Sequence, residues 1–247
     1  MSELSAQKPA PTVSAGMEAH TIEAVSFDVL GTLLALEPPA APLRAALGRE
    51  FGVDVAEAEA ELAMAAEIAY YRQHMHAAVD GPSLAALRRR CAEVLRDALP
   101  PSAAELDLAR LTEVLLRSIR FSAYPDAEPA LRALRERGLR LLAISNWDVS
   151  LHEQLAGTGL SGLLDAAVSS AEAGVAKPDP EIFARALAGI GVPPGAAWHV
   201  GDDVGADVEG ALAAGLAPVL IDRGGTATAP PGVPVITSLA ELPALCA

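Results

Sequence analysis

The sequence predicts an α/β fold, a doubly wound and mostly parallel sheet with four helices inserted after its first strand. Three observations predict it. A short apolar run, Ala24 to Asp28, is followed at once by the turn residues Gly31 and Thr32. From Pro42 to Arg120 apolar residues recur at helical spacing. After Tyr124-Pro125 short strands and helices alternate to the end, the pattern of a parallel sheet covered on both faces.

Each element follows in order. Residues 1–20 are rich in Ser, Ala and Pro without periodicity and read as a flexible tail, in which Met17 is a second candidate start. Ala24–Asp28 is the first strand. The insertion shows Leu43, Leu47 and Phe51, then Leu62, Ile68 and Met75, then Leu84, Leu87, Val94 and Leu95, then Leu108, Leu111, Leu115 and Ile119. Breaks at Gly52-Val53-Asp54, Asp80-Gly81-Pro82 and Pro100-Pro101 separate four helices of an antiparallel bundle. A helix over 128–137 leads to a strand over 139–145, a helix over 150–155 and a strand over 166–169. Pro180 opens another helix, followed by a strand over 197–201 and a helix over 206–214. Strands over 217–221 and 233–236 and a helix over 239–245 complete the chain. The expected division is a core of 21–38 and 121–247 and a helical cap of 39–120.

Composition narrows the function. The net charge of −14 argues against nucleic acid, which needs a clustered positive surface. The one basic cluster, Arg88-Arg89-Arg90, lies in a helical stretch and reads as a solvated helix edge. Cys91 and Cys246 form neither a metal spacing nor a disulfide framework, and no signal-peptide pattern opens the chain, so a cytoplasmic location is expected. No run of about 18 apolar residues predicts a membrane span. Lysine occurs only at positions 8 and 177, arginine supplying the other positive charges, which makes Lys177 conspicuous.

In an open parallel sheet, ligands bind beyond the carboxyl ends of the strands. There the predicted strands carry Asp28, then Ser145 and Asn146, then Asp202 and Asp203 with Asp207 a turn later. Lys177 sits between two of these elements. Clustered carboxylates repel one another unless a cation joins them. Oxygen ligands without paired histidines or cysteines suit a hard ion, Mg²⁺ first. A lysine, a hydroxyl and backbone amides beside such an ion suit a phosphate, and Asp28 can attack phosphorus as a carboxylate nucleophile. Taken singly, each residue also has a plainer reading as a cap, a turn or a surface charge. Trp147 and Trp198, beside the motif strands, are read as packing residues or as substrate contacts.

Four motifs in this order resemble the haloacid dehalogenase superfamily, in its phosphatase-like branch with a helical cap after the first motif. They are Phe27-Asp28-Val29-Leu30-Gly31-Thr32-Leu33, Ile144-Ser145-Asn146, Lys177-Pro178-Asp179-Pro180-Glu181-Ile182-Phe183, and His199-Val200-Gly201-Asp202-Asp203 with Asp207, Gly210 and Ala211. The resemblance implies a Rossmann-like core. It implies Asp28 as nucleophile and Mg²⁺ ligand, with the main-chain carbonyl of Leu30 also on the metal. Asp202 would be the direct acidic ligand, with Asp203 and Asp207 holding metal waters or neighbouring groups. Ser145 and the Asn146 amide would bind the phosphoryl group, and Lys177 would offset charge on nucleophile and phosphate. The implied reaction is hydrolysis of a small phosphorylated molecule through an aspartyl-phosphate.

One position departs from the pattern. The family's phosphatases usually carry a second Asp two residues after the nucleophile, where this chain has Leu30. Leucine can neither protonate a leaving oxygen nor activate water, help worth about 10²–10⁴-fold. Three readings follow. The first is a slow phosphatase whose proton comes from elsewhere, with His74, His76, Tyr70 and Tyr71 of the cap as candidates. The second is a dehalogenase-like C–halogen hydrolase, whose leaving halide needs no proton, although the retained acidic cluster argues against it. The third is a catalytically silent protein that binds a phosphorylated ligand or a protein. Phosphonate cleavage through a Schiff base is set aside, because the cap contains no lysine.

Overall fold

The computed structural model describes residues 22–245. The predicted tail, with Lys8 and Met17, and Cys246 lie outside the described residues. The strands are β1 (Ala24–Phe27), β2 (Leu34–Leu36), β3 (Phe121–Ala123), β4 (Arg140–Ser145), β5 (Ala166–Ser169), β6 (Ala197–Gly201), β7 (Ala217–Ile221) and β8 (Val235–Ile236). Six of them form one sheet in the order β5-β4-β1-β6-β7-β8, every pair parallel. The chain winds outward from β1 through β4 to β5, then returns to the other side of β1 at β6. That reversal makes the carboxyl end of β1 a switch point, where parallel sheets open a crevice.

The helices are α1 (Ala40–Phe51), α2 (Glu57–His74), α3 (Gly81–Ala98), α4 (Leu108–Ser118), α5 (Ala127–Glu136), α6 (Leu151–Gly157), α7 (Ser170–Ala173), α8 (Pro180–Ile190), α9 (Gly210–Ala214) and α10 (Leu242–Leu245). Side chains alternate across β1, so Val25 and Phe27 meet α5, α6 and α10 on one face of the sheet. Ala24, with Leu142 and Ile144 of β4, meets α8 and α9 on the other. Helices α1 to α4 surround a core of their own that includes Leu43, Leu47, Leu95, Leu111 and Leu115.

Local chemistry sets several boundaries. Asp80 accepts from the Ser83 amide at 2.8 Å and starts α3, and Asp107 accepts from the Arg110 amide at 2.9 Å and starts α4. At α8, Asp179 caps the Glu181 amide at 2.9 Å and Pro180 fills the first turn.

The structure departs from the sequence reading in three places. Strands β2 and β3 pair antiparallel as a small ribbon where the chain enters and leaves the helical insertion. Leu62 is 70% exposed, because α2 turns Ala60, Ala63, Met64 and Glu67 inward instead. The helix expected from Ala206 begins earlier, as a wide turn over Val204–Glu209 that continues into α9. Among the described residues no helix is long and apolar enough to cross a membrane.

Candidate active site

Parallel pairing brings the carboxyl ends of β1, β4 and β6 to one edge. Phe27 lies level with Ala143 and Val200, so Asp28, Ser145 and Asp202 emerge side by side. They open onto a cavity of about 710 Å³, which also reaches Leu30, Asn146, Lys177, Asp203 and Asp207 and is walled on its far side by the insertion. That volume suits a small organic molecule.

The floor is built on Lys177. Its Nζ donates to Asp28 Oδ1 and to Asp207 Oδ1, each at 2.6 Å, with the lysine side chain 2% exposed. Ser145 Oγ donates to the same Asp28 oxygen at 3.1 Å. Asn146 holds the lysine in place through its side chain: Nδ2 donates to the Lys177 carbonyl at 3.0 Å, and Oδ1 accepts from the Lys177 amide at 2.8 Å. Beneath the floor, fully buried His199 bridges Asp207 Oδ1 at 3.2 Å and Ser26 Oγ at 2.9 Å, edge-on to Phe183.

Asp28, Asp202 and Asp207 each present a carboxylate oxygen within 4.8 Å of the others. Two of these three carboxylates pair with the Lys177 ammonium, and Asp202 has no ion pair of its own among the described residues. Burial pushes the Asp28 carboxyl up to about 7 against the opposing pull of Lys177, with Asp207 and Asp202 adding to the rise. Burial also raises Asp202. Burial would raise Asp207 too, but Lys177 and His199 overcome it and hold that carboxyl well below its usual range. Burial would lower Lys177, but its two carboxylate partners outweigh that and leave it above its usual value. The set is all oxygen and in excess of its internal cation, so the residues fit a small divalent ion such as Mg²⁺.

Two glycines make the close approach feasible. Gly31 has φ of 92°, and a Cβ there would run into the Asp202 carboxylate. A Cβ on Gly201 would overlap the Asp207 carboxylate.

Other residues singled out by sequence fall less centrally. Asp203 stands outside the carboxylate trio: its Oδ1 caps the Ala206 amide at 2.7 Å, and its own amide donates to Asp207 Oδ2 at 3.0 Å. Leu30 lines the cavity and bridges to Leu34. Of the four cap candidates, Tyr71 and His76 reach the cavity. Tyr70 and His74 do not: they stack on each other, ring centres 4.0 Å apart, with His74 exposed. Trp147 lines the cavity and packs against Phe121 with centroids 5.0 Å apart, whereas Trp198 packs against the sheet core. Arg89 and Arg90 lie on a solvated edge as expected, but Arg88 reaches the cavity.

Sequence reasoning missed Glu67 and Asp148. Both are buried and line the same cavity. Asp148 accepts from Tyr71 Oη at 2.9 Å and from the Ser150 amide at 2.7 Å. Its place two residues after Asn146 was the available signal.

Over 134 residues, 53% of this chain and 54% of the other, the chain is 40% identical to the phosphoserine phosphatase of Thermus thermophilus. The chain therefore spans about half the length of that curated relative. Among solved structures, a HAD phosphatase from Thermococcus onnurineus superposes with a TM-score of 0.62 at 26% identity, covering 91% of this chain and 97% of the other. A 2-haloacid dehalogenase from Pseudomonas syringae superposes with a TM-score of 0.63 at 25% identity over the same shares. The family profile for haloacid dehalogenase-like hydrolases matches residues 22–215, from β1 past the last of the clustered aspartates. On that match, the chain belongs to the haloacid dehalogenase-like hydrolase family.

Proposed function

We propose that the chain is a phosphohydrolase that cleaves small phosphate monoesters through an aspartyl-phosphate on Asp28. The observation that carries this reading is the Lys177 ammonium held 2.6 Å from both Asp28 and Asp207, at the floor of a cavity with a third carboxylate beside it. An anion-binding cation next to a nucleophilic carboxylate suits a reaction in which positioning and charge stabilisation supply most of the rate.

Mg²⁺ held by Asp28, Asp202 and Asp207, with the Leu30 carbonyl as a further oxygen, would supply positive charge against the phosphoryl oxygens. The chain's own residues do the rest. An Asp28 oxygen forms the new bond to phosphorus as the ester P–O bond breaks. Ser145 and the Asn146 amide hold the transferring group, and Lys177 offsets the charge on both partners. Asp203 orders the turn that carries Asp207. Water then cleaves the acyl-phosphate, and phosphate leaves. Leu30 offers no proton, so a leaving group that departs as a stable anion is favoured over an alkoxide. Phosphatase relatives support this substrate class.

The test is hydrolysis of an aryl phosphate with and without Mg²⁺. Turnover is expected only with the ion, and Asp28→Asn is expected to abolish it. Turnover that survives either change would overturn the reading. Leu30 and the dehalogenase-like neighbour favour a second reading, C–halogen hydrolysis. Halide release from a 2-haloacid in the presence of chelator would establish that instead. Binding of phosphate without turnover of either substrate would mark a silent ligand-binding protein.

A further inference from the structure

The cavity carries two further buried acids, neither of them paired with Lys177. Glu67 on α2 is 2% exposed, lines the cavity, and its Oε2 is buried with no hydrogen-bond partner. Asp148, 3% exposed, lines the same cavity. Tyr71 Oη donates to one Asp148 oxygen and the Ser150 amide to the other, and the Cys91 thiol lies beside the Glu67 carboxyl. Neither carboxylate forms an ion pair with any Lys, Arg or His among the described residues. Two buried acids without a cation, one with an orphan oxygen, are costly to keep out of water.

Resting on the phosphohydrolase reading above, we propose that Glu67 and Asp148 form the specificity pole of the site and receive a protonated amine of the substrate. The substrate class is then a phosphate monoester that carries a primary ammonium group. Its phosphate lies over Lys177, and its ammonium donates to Glu67 Oε2 and to an Asp148 oxygen. A cation there supplies the missing hydrogen-bond donor and the missing positive charge together. A neutral hydroxyl supplies the donor alone. Burial raises the Glu67 carboxyl above its usual value, and a bound ammonium would favour its ionised form. Arg72 and Arg88 also line the cavity, and neither forms an ion pair with either acid.

The experiment compares 2-aminoethyl phosphate, 2-hydroxyethyl phosphate and p-nitrophenyl phosphate in the presence of Mg²⁺. The amine is expected to exceed the hydroxyl ester in kcat/KM by about tenfold or more. Glu67→Gln, which keeps shape and removes charge, is expected to collapse that ratio towards one, and Glu67→Asp to keep part of it. Should Glu67→Gln fail to fold by circular dichroism, Asp148→Asn carries the same expectation. Aryl phosphate turnover without amine preference, or a preference untouched by the folded variant, overturns the proposal and leaves the phosphohydrolase reading standing. If no ester is hydrolysed, that reading fails. Calorimetry with 2-aminoethylphosphonate against 2-hydroxyethylphosphonate then decides the pole, tighter binding of the amine supporting it and equal or absent binding overturning it.

Discussion

Single atoms decide much of this site. Gly201 has no Cβ because the Asp207 carboxylate occupies that space. Gly201→Ala is therefore expected to displace Asp207 from Lys177. A shift of about 1 Å at a positioned group costs on the order of 10²-fold in turnover, so steady-state hydrolysis by the folded variant should fall by that factor. Leu30 is the opposite case, a side chain that lacks a needed group. Leu30→Asp is expected to raise turnover of an alkyl phosphate by about 10²-fold. It should raise aryl phosphate turnover much less, because an aryl oxide leaves without a proton. Comparing the two esters checks this, and an equal gain on both would show that proton supply is not the limit. His76, which reaches the cavity and bonds Ser170 Oγ at 2.7 Å, is with Tyr71 one of two cap side chains able to stand in for that missing acid.

Elements of secondary structure are pinned by a few polar contacts. Asp126, just before α5, receives two bonds of 3.0 Å from the Arg223 guanidinium, one of 2.7 Å from Ser238 and one of 2.9 Å from the Leu239 amide. It thus ties the start of α5 to the end of the chain. Burial works against its charge, but these donors hold the Asp126 carboxyl below its usual value. A depressed folded value stabilises the fold above the unfolded pKa of about 4 and is lost as pH falls through the lower folded value. Asp126→Asn is expected to cost about 2 kcal/mol at pH 7. The gap in Tm from the parent should narrow below about pH 4. Thermal melts of both proteins across pH check the sign.

Element by element, the sheet was legible because each of its strands is a compact apolar run closed by turn chemistry. The ribbon of β2 and β3 was not, since three residues such as Phe121-Ser122-Ala123 carry too little alternation to register. Helix α2 misled for a different reason. Its inward stripe is two alanines, one methionine and a glutamate, too weakly apolar to outweigh Leu62, which the structure leaves in solvent. Periodicity discards a charged residue as surface, and Glu67 was discarded with it. Within the site, the order of Asp28, Ser145, Lys177 and Asp202 was legible from strand ends. The side-chain clamp of Asn146 on Lys177 was not, because a hydrogen bond across 31 residues depends on the fold that brings its partners together.

At the scale of the whole molecule, the sheet edge and the four-helix layer each supply one wall of the cavity, and neither encloses it alone. Tyr71 to Asp148 and Val149 N to the Ala78 carbonyl, at 2.9 and 3.2 Å, join the two across that seam. A divalent ion bound by the native carboxylates and not by the unfolded chain stabilises the whole fold, by about 2.7 kcal/mol at a hundred times its dissociation constant. Mg²⁺ is therefore expected to raise Tm, and Asp202→Asn to remove most of the rise. Equal shifts in both proteins would place the ion elsewhere. The scarcity of lysine has its own practical outcome. Lys177 is the one lysine among the described residues, and it is enclosed. An acylating reagent finds a single primary amine there, behind two carboxylates. Its partners keep that amine protonated, so the mass gained by the peptide around it would report how often the chamber admits a visitor and the ion pairs part together.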